Sequence, residues 1–282
     1  MSDYIHNTGE FTSTDGLRLF YQTWKQEKPT GLIVLCHGVG DHSGRYVNLL
    51  DTIKDDNLSV YTLDHRGHGR SEGKRGHIMS FDEYVDDFDL IVQLAKNDHP
   101  DLPVIIMGHS LGGVIAFKYV LKYGQDFAGL ILSSAGFKNK VEVSPLKIKL
   151  ALFLSRNLPA LTMSTGLDSK LLSHDPNVVQ AYINDPLVHD RVSSRWYTEF
   201  ISAGQECLDR SAELNLPLLI IHGQADEIVD YHGSEEVMQK AGSLDKELHI
   251  FENLYHETMN ETAAEKEKVL NVIKVWLLKH IA

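Results

Sequence analysis

Cysteine is scarce in this chain of 282 residues: there are two, too few for a disulfide framework, and both read as structural thiols. Cys36 falls inside an apolar stretch and Cys207 in a polar one, usage that fits a reducing cytoplasm. Basic charge is short as well. Lys and Arg number 27 against 39 Asp and Glu, and the formal charge of −12 repels nucleic acid and, on average, an anionic membrane. No uninterrupted apolar run approaches the ~18 residues that would suggest a membrane span. The opening MSDYIHNTGEF lacks the basic and apolar regions of a secretory signal, so none is expected. Composition is otherwise ordinary, with 43% hydrophobic and 23% charged residues, and the length suits a single elaborated α/β domain.

Hydrophobic periodicity supplies the architecture. EFTSTDG and LRLFYQTW, joined at Asp15-Gly16, read as a hairpin. Six short apolar runs follow: GLIVLCHG (31–38), LSVYTLD (58–64), PVIIMGH (103–109), AGLILSSA (128–135), LPLLIIHG (216–223) and KELHIFE (246–252). Such runs suit parallel strands buried on both faces, and amphipathic helical stretches lie between them, so the class is α/β with a mostly parallel central sheet. The alternation breaks once, from about Gly136 to Gly204, where helix-like pieces are separated by Pro145, Pro159, Pro176 and Pro186. That length marks a helical insertion at 137–203, dividing a core into 1–136 and 204–282.

The stretch VIIMGHSLGGVIAFKYV (104–120) places a serine between a strand-like and a helix-like run. Ligands of an open parallel sheet bind at the carboxyl ends of its strands, so a residue in this turn points into the site. Gly108-His109-Ser110-Leu111-Gly112 matches the G-x-S-x-G nucleophile elbow, whose glycines let the sharp turn close. A serine hydroxyl is a poor nucleophile until a base takes its proton, and this chain order calls for an acid and then a histidine in later loops. Asp226 after LPLLIIHG and His256 after KELHIFE meet the requirement, with Asp230 as the rival acid. His249 lies within a strand and His280 in the final helix, while His109 is expected to point away from the pocket and pack beneath the turn. The oxyanion formed on attack needs preorganised donors. The backbone N–H groups of Leu111 and of Val39, in HGVG (37–40), are the candidates, although HGVG also suits a plain strand-ending turn.

Taken in order, HGVGDHSGRY (37–46), DHRGHGRSEGKRGHI (64–78), GHSLGG (108–113), HGQADEIVD (222–230) and YHETMNE (255–261) resemble the monoacylglycerol lipase and lysophospholipase group of α/β-hydrolases. The likeness spans nearly the whole chain and is weakest in 137–203. It implies the α/β-hydrolase fold with a helical cap, Ser110, Asp226 and His256 as a catalytic triad, and Val39 and Leu111 as the oxyanion hole. It further implies substrate contact by Asp41, Arg45 and Tyr182; Arg45 equally suits a surface ion pair or a helix-start anchor. Some members carry a second histidine three residues after the catalytic one, near the glycerol end. This chain has Met259 there, a departure that touches glycerol selectivity and not hydrolysis. Asp64, His65 and His68 superficially suggest metal ligands, but no further cluster lies near them, and the loop reads as structural, with Asp64, Arg66 and Ser71 tying loops together.

Within the insertion, FKNKVEVSPLKIKLALFLSRNLPALTM (137–163) is the most lipid-like stretch. Lys138, Lys140, Lys147, Lys149 and Arg156 face one acid, Glu142, and Leu146, Ile148, Leu150, Leu152, Phe153 and Leu154 leave no clean polar face. Such a helix either roofs an acyl pocket or touches lipid, so transient membrane-surface contact of a cytoplasmic protein is expected through the cap. Trp196 and Tyr197 are expected to be core aromatics. Together these features point to a serine carboxylic ester hydrolase for single-chain acyl lipids, monoacylglycerol or lysophospholipid, working through an acyl-enzyme without metal or organic cofactor. A carboxylesterase for small soluble esters keeps the same triad; a non-catalytic binding protein of this fold would have lost it.

Overall fold

Short runs rich in Ile, Val and Leu, each closed by a turn residue, become strands of one sheet because burial on both faces suits them. In the computed structural model, which describes residues 4–140 and 145–281, β1 (Ile5–Thr12) and β2 (Arg18–Lys25) form the hairpin expected around Asp15-Gly16. β3 (Gly31–Cys36), α1 (Val47–Ile53), β4 (Leu58–Leu63), α2 (Asp82–Asp98), β5 (Val104–His109), α3 (Leu111–Tyr123) and β6 (Gly129–Ser133) then alternate. The segment after β6 contributes α4 (Pro145–Asn157), β7 (Thr162–Ser164), α5 (Pro176–Asn184), β8 (Arg191–Ser193) and α6 (Ser194–Asp209). β9 (Leu218–Gly223), α7 (His232–Lys240), β10 (Lys246–Phe251) and α8 (Ala263–Ile281) follow.

The sheet order is β1-β2-β4-β3-β5-β6-β9-β10, parallel from β4 to β10, with the hairpin antiparallel at one edge. Successive side chains alternate between two cores. Leu32, Val34, Ile106, Leu130 and Ile220 share one with residues of α2, α3 and α6, and Ile33, Leu35, Ile105, Ile131 and Ile221 share the other with α1 and α8. Each of these is buried, and a fully buried side chain of this size contributes about 1.5–3 kcal/mol relative to exposure. Cys36 and Cys207 are buried and free. The chain leaves β3 toward β4 on one side and crosses to β5 on the other, so the winding reverses between β3 and β5. A crevice opens at the carboxyl ends of such a strand pair, and the loops after Cys36 and His109 meet there.

The strand and helix pattern departs from expectation in three places. β10 is half-buried along its length, because it forms the sheet edge with β9 on one side alone. The insertion is not wholly helical, since β7 and β8 pair as a short antiparallel ribbon. The expected boundary at 203/204 falls inside α6, whose Trp196, Ala203, Cys207 and Leu208 pack in the core. Residues 141–144, Glu142 among them, and the side chain of Lys147 lie outside the described residues. Among the described residues no helix is long and apolar enough to cross a membrane.

Candidate active site

β5 passes into α3 through one residue, Ser110, with φ 55° and ψ −117°. That left-handed backbone is strained for a residue with a Cβ by ~1–3 kcal/mol and persists because its surroundings hold it. Ser110 N–H donates to Ser133 O at 3.0 Å, and Ser110 O accepts from Gly113 and Gly136 N–H, both at 3.0 Å. The elbow glycines are sterically required: a Cβ on Gly108 would collide with Gly112 O, and one on Gly112 with Cys36 O. Ser110 stands at the cap position of α3, yet its hydroxyl makes no capping hydrogen bond and the residue lines a cavity at the sheet's rim. The loop after β3 runs alongside, with an ideal Gly38 Cβ 3.3 Å from Ser110 Cβ, and Val39 lines the same cavity. Leu111 N–H opens α3, where first-turn amides have no intrahelical acceptor. His37 stiffens this loop: Nδ1 donates to Gly38 O at 2.7 Å, Nε2 accepts from His65 N–H at 2.9 Å, and burial pushes its pKa down to about 3.

Asp226 and His256 sit in the loops after β9 and β10. His256 Nδ1 donates to Asp226 Oδ2 at 2.6 Å, so Nε2 is the ring nitrogen available to Ser110, which lines the same cavity of about 30 Å³. Asp226 is fully buried and also accepts from Ile228 N–H at 2.8 Å, Val229 N–H at 2.9 Å and His222 Nε2 at 3.1 Å. Burial acts to raise its pKa, but attraction to His256 and the hydrogen bonds from both histidines prevail, and the carboxyl lies well below the usual carboxylate range. For His256, burial acts to lower the pKa, and the Asp226 carboxylate overrides it, leaving it raised. A more basic imidazole in a fixed tautomer is what proton abstraction from a hydroxyl requires. Asp230, the rival acid, instead accepts from exposed His232 Nδ1 at 2.7 Å.

His109 departs from its expected place beneath the turn. Its ring lines the Ser110 cavity, 4.9 Å from the His256 ring, because Nδ1 is drawn to Ser133 O, 3.1 Å away at the end of the adjoining strand. Burial pushes its pKa down to about 4. Asp41, Arg45 and Tyr182 come together on another wall. Arg45 binds Glu257 through Nη1–Oε1 at 2.7 Å and Nη2–Oε2 at 2.8 Å, reaches Asp41 Oδ1 at 3.1 Å, and lies 4.7 Å from the centre of the Tyr182 ring. This is a buried charge cluster and not a surface pair, with Asp41 and Glu257 each 5% exposed. His65 and His68 are buried too, and no group among the described residues has metal-holding geometry. Asp64 accepts from Ser43 and from Arg70 N–H, and Arg66 binds Asp15, Glu83 and Asp87, so the loop is tied as read.

Comparison with known proteins places this arrangement. The family model for serine aminopeptidase, S33, matches residues 27–263. The chain belongs to the serine aminopeptidase S33 family. A monoacylglycerol lipase of Mycolicibacterium smegmatis is 37% identical over 273 residues, 96% of this chain and 96% of that one. Phospholipase YtpA of Bacillus subtilis is 31% identical, covering 92% of this chain and 99% of its own. The crystal structure of a Paleococcus ferrophilus monoacylglycerol lipase superposes with a TM-score of 0.85 at 32% identity, covering 93% of this chain and 99% of that one. The fold is that of the α/β-hydrolases, and this S33-family protein is an ester-hydrolysing serine hydrolase.

Two larger cavities, each of about 310 Å³, adjoin the one at Ser110 in this family member. The first is lined by Val192, Trp196, Tyr197 and Phe200, with Ser110 at its edge. Tyr197 packs against the core and, half-buried, also lines this space; Trp196 does the same from within the core, donating its Nε1–H to Tyr84 Oη at 3.1 Å. The second carries the polar groups of Tyr182, Asp185, His189 and Asp190 among apolar Leu167, Leu172, Ile183 and Val188. Sequence reading missed Glu257, His222 and the pair His42 Nε2–Asp185 Oδ2 at 2.9 Å. His222 Nδ1 is 2.8 Å from Ser234 Oγ, so the hydroxyl and the carboxylate together fix its tautomer. The signal for Glu257 was its place beside His256; nothing in the sequence pairs it with Arg45.

Proposed function

We propose that the protein is a lipase for single-chain acyl esters, monoacylglycerol first among them. In this reading Ser110 is the nucleophile, His256 the base, Asp226 the acid that orients it, and the N–H groups of Val39 and Leu111 the oxyanion hole. The position of Ser110 carries the proposal: it lines a small cavity with Asp41 and Glu257 and a larger, mainly apolar one with Trp196 and Phe200, and shares the first with an imidazole held at 2.6 Å by a buried carboxylate. The acyl chain occupies the apolar branch and the leaving alcohol the polar one. Ser110 Oγ attacks the ester carbonyl as His256 Nε2 takes its proton. The ester C–O bond then breaks, and the imidazolium gives that proton to the leaving oxygen. Water attacks the acyl-enzyme with help from the same base, releasing fatty acid and restoring the serine. Each oxyanion donor is worth ~3 kcal/mol in the transition state.

The segment 137–203 serves as the cap over these branches. Its α4 exposes Leu146, Ile148, Leu150, Leu152 and Phe153 alongside Lys149 and Arg156, which suits a peripheral contact with an anionic lipid surface at which substrate is collected. Similarity to monoacylglycerol lipases supports glycerol as the head group, and the Bacillus subtilis phospholipase supports lysophospholipid as the second reading. A kcat/KM series over glycerol esters from acetyl to oleoyl tests the assignment. Rates that climb with chain length are expected; a preference for the shortest esters would make the protein a carboxylesterase of soluble substrates.

A further inference from the structure

We infer that the polar branch admits an uncharged alcohol head group and excludes a phosphate-bearing one, with Glu257 setting the charge; the inference rests on the lipase reading above. Two buried carboxylates, Asp41 and Glu257, line the Ser110 cavity on the side assigned to the leaving alcohol. Their counter-charge is Arg45, whose Nη1–Nη2 edge is filled. Nη1 meets Asp41 Oδ1 at 3.1 Å and Glu257 Oε1 at 2.7 Å, Nη2 meets Glu257 Oε2 at 2.8 Å, and the Tyr182 ring covers the guanidinium at 4.7 Å. A phosphate approaching the Nη1–Nη2 edge of this cation would have to break a buried bidentate pair and strand a carboxylate without a partner.

The three groups together present one net negative charge to the branch. Farther out it passes Asp185 and Asp190, and among the described residues neither cavity of the branch is lined by a lysine or an arginine. Asp185 is already held by His42 at 2.9 Å. An anionic head group would thus meet like charge in a buried setting that salt screens poorly. Glycerol hydroxyls meet no such barrier, because they donate hydrogen bonds to carboxylate oxygens. Without Glu257 the arrangement would invert: Arg45 would offer an open nitrogen pair toward the leaving group, the geometry that binds phosphate.

The test compares kcat/KM for 1-oleoylglycerol and 1-oleoylglycerol 3-phosphate, both presented as monomers. Wild type is expected to prefer the uncharged ester by at least about 100-fold. Glu257→Gln is expected to narrow that preference by about tenfold, and Asp41→Asn to move it in the same direction. Equal turnover of the two esters by wild type overturns the inference, as does an unchanged preference in either folded variant. Should neither variant fold, wild type alone decides: glycerol should slow fluorophosphonate labelling of Ser110 at concentrations where glycerol 3-phosphate does not, and equal protection overturns the inference. Cleavage of neither ester refutes the lipase reading itself, an outcome distinct from cleavage of both.

Discussion

The substitution Asp226→Asn keeps one acceptor oxygen and replaces the other with an NH2 group. Ile228 and Val229 N–H groups, at 2.8 Å and 2.9 Å from Oδ1, hold the retained oxygen in place, so the amide nitrogen falls at the Oδ2 position. There it faces two donors, His256 Nδ1 at 2.6 Å and His222 Nε2 at 3.1 Å. The imidazole of His256 relieves the conflict by carrying its proton on Nε2, the atom that must accept from Ser110. The expected loss is about 10³- to 10⁴-fold in kcat, or roughly 4–5.5 kcal/mol of transition-state stabilisation, with KM little changed. Hydrogen bonds to a charged acceptor, worth ~1.5–3 kcal/mol each, disappear at the same time. Steady-state assays are therefore paired with a urea melt and scaled to the folded fraction. A folded variant that keeps more than about a tenth of wild-type kcat refutes the reasoning. So does an equal loss in Asp230→Asn, whose carboxylate faces exposed His232 instead.

The acid limb of kcat/KM reports His256, whose neutral form is the active one. Because Asp226 raises its pKa, the limb should centre above the ordinary imidazole value and move to lower pH in Asp226→Asn; a limb that does not move contradicts the assignment. Arg45→Ala leaves Asp41 and Glu257 buried without counter-charge and should cost about 3–5 kcal/mol of stability in urea, against a near-neutral result if the cluster were solvated. The double substitution Leu152→Asp and Phe153→Asp, at side chains 56% and 61% exposed, should lower co-sedimentation with anionic vesicles by about tenfold or more. Hydrolysis of a short monomeric glyceride should be preserved in that variant, and undiminished vesicle binding would remove α4 from the contact.

Local chemistry made much of this legible before any coordinates. The runs that became β3, β5 and β9 are near-continuously apolar, as strands buried on both faces are, and Gly108 and Gly112 announce a turn only they can close. Asp226 and His256 could be picked because loops after strands are few, and the structure sets Asp226 beside His256 and Asp230 beside exposed His232. What escaped notice depends on partners far away in the chain. Arg45 and Glu257 are held together by the reversal between β3 and β5 and by the approach of the loop after β10, neither of which leaves a mark on their neighbours. His109 was misplaced because the ring follows Ser133 O on the adjacent strand and not the alternation of its own. β10 reads like its neighbours in composition, and the sheet order reveals that, among the described residues, one of its sides has no strand. Tyr197 packs on the core as it reads, but aromatic composition carries no sign that the same ring also lines a cavity.

Activation of Ser110 by His256 and Asp226 is most directly read with a fluorophosphonate probe and peptide mapping by mass spectrometry. A single adduct on Ser110 is expected, absent in Ser110→Ala, with labelling in Asp226→Asn slowed by a factor of at least about 10². An adduct on a different serine, or folded protein that cleaves ester while Ser110 stays unlabelled, would contradict it.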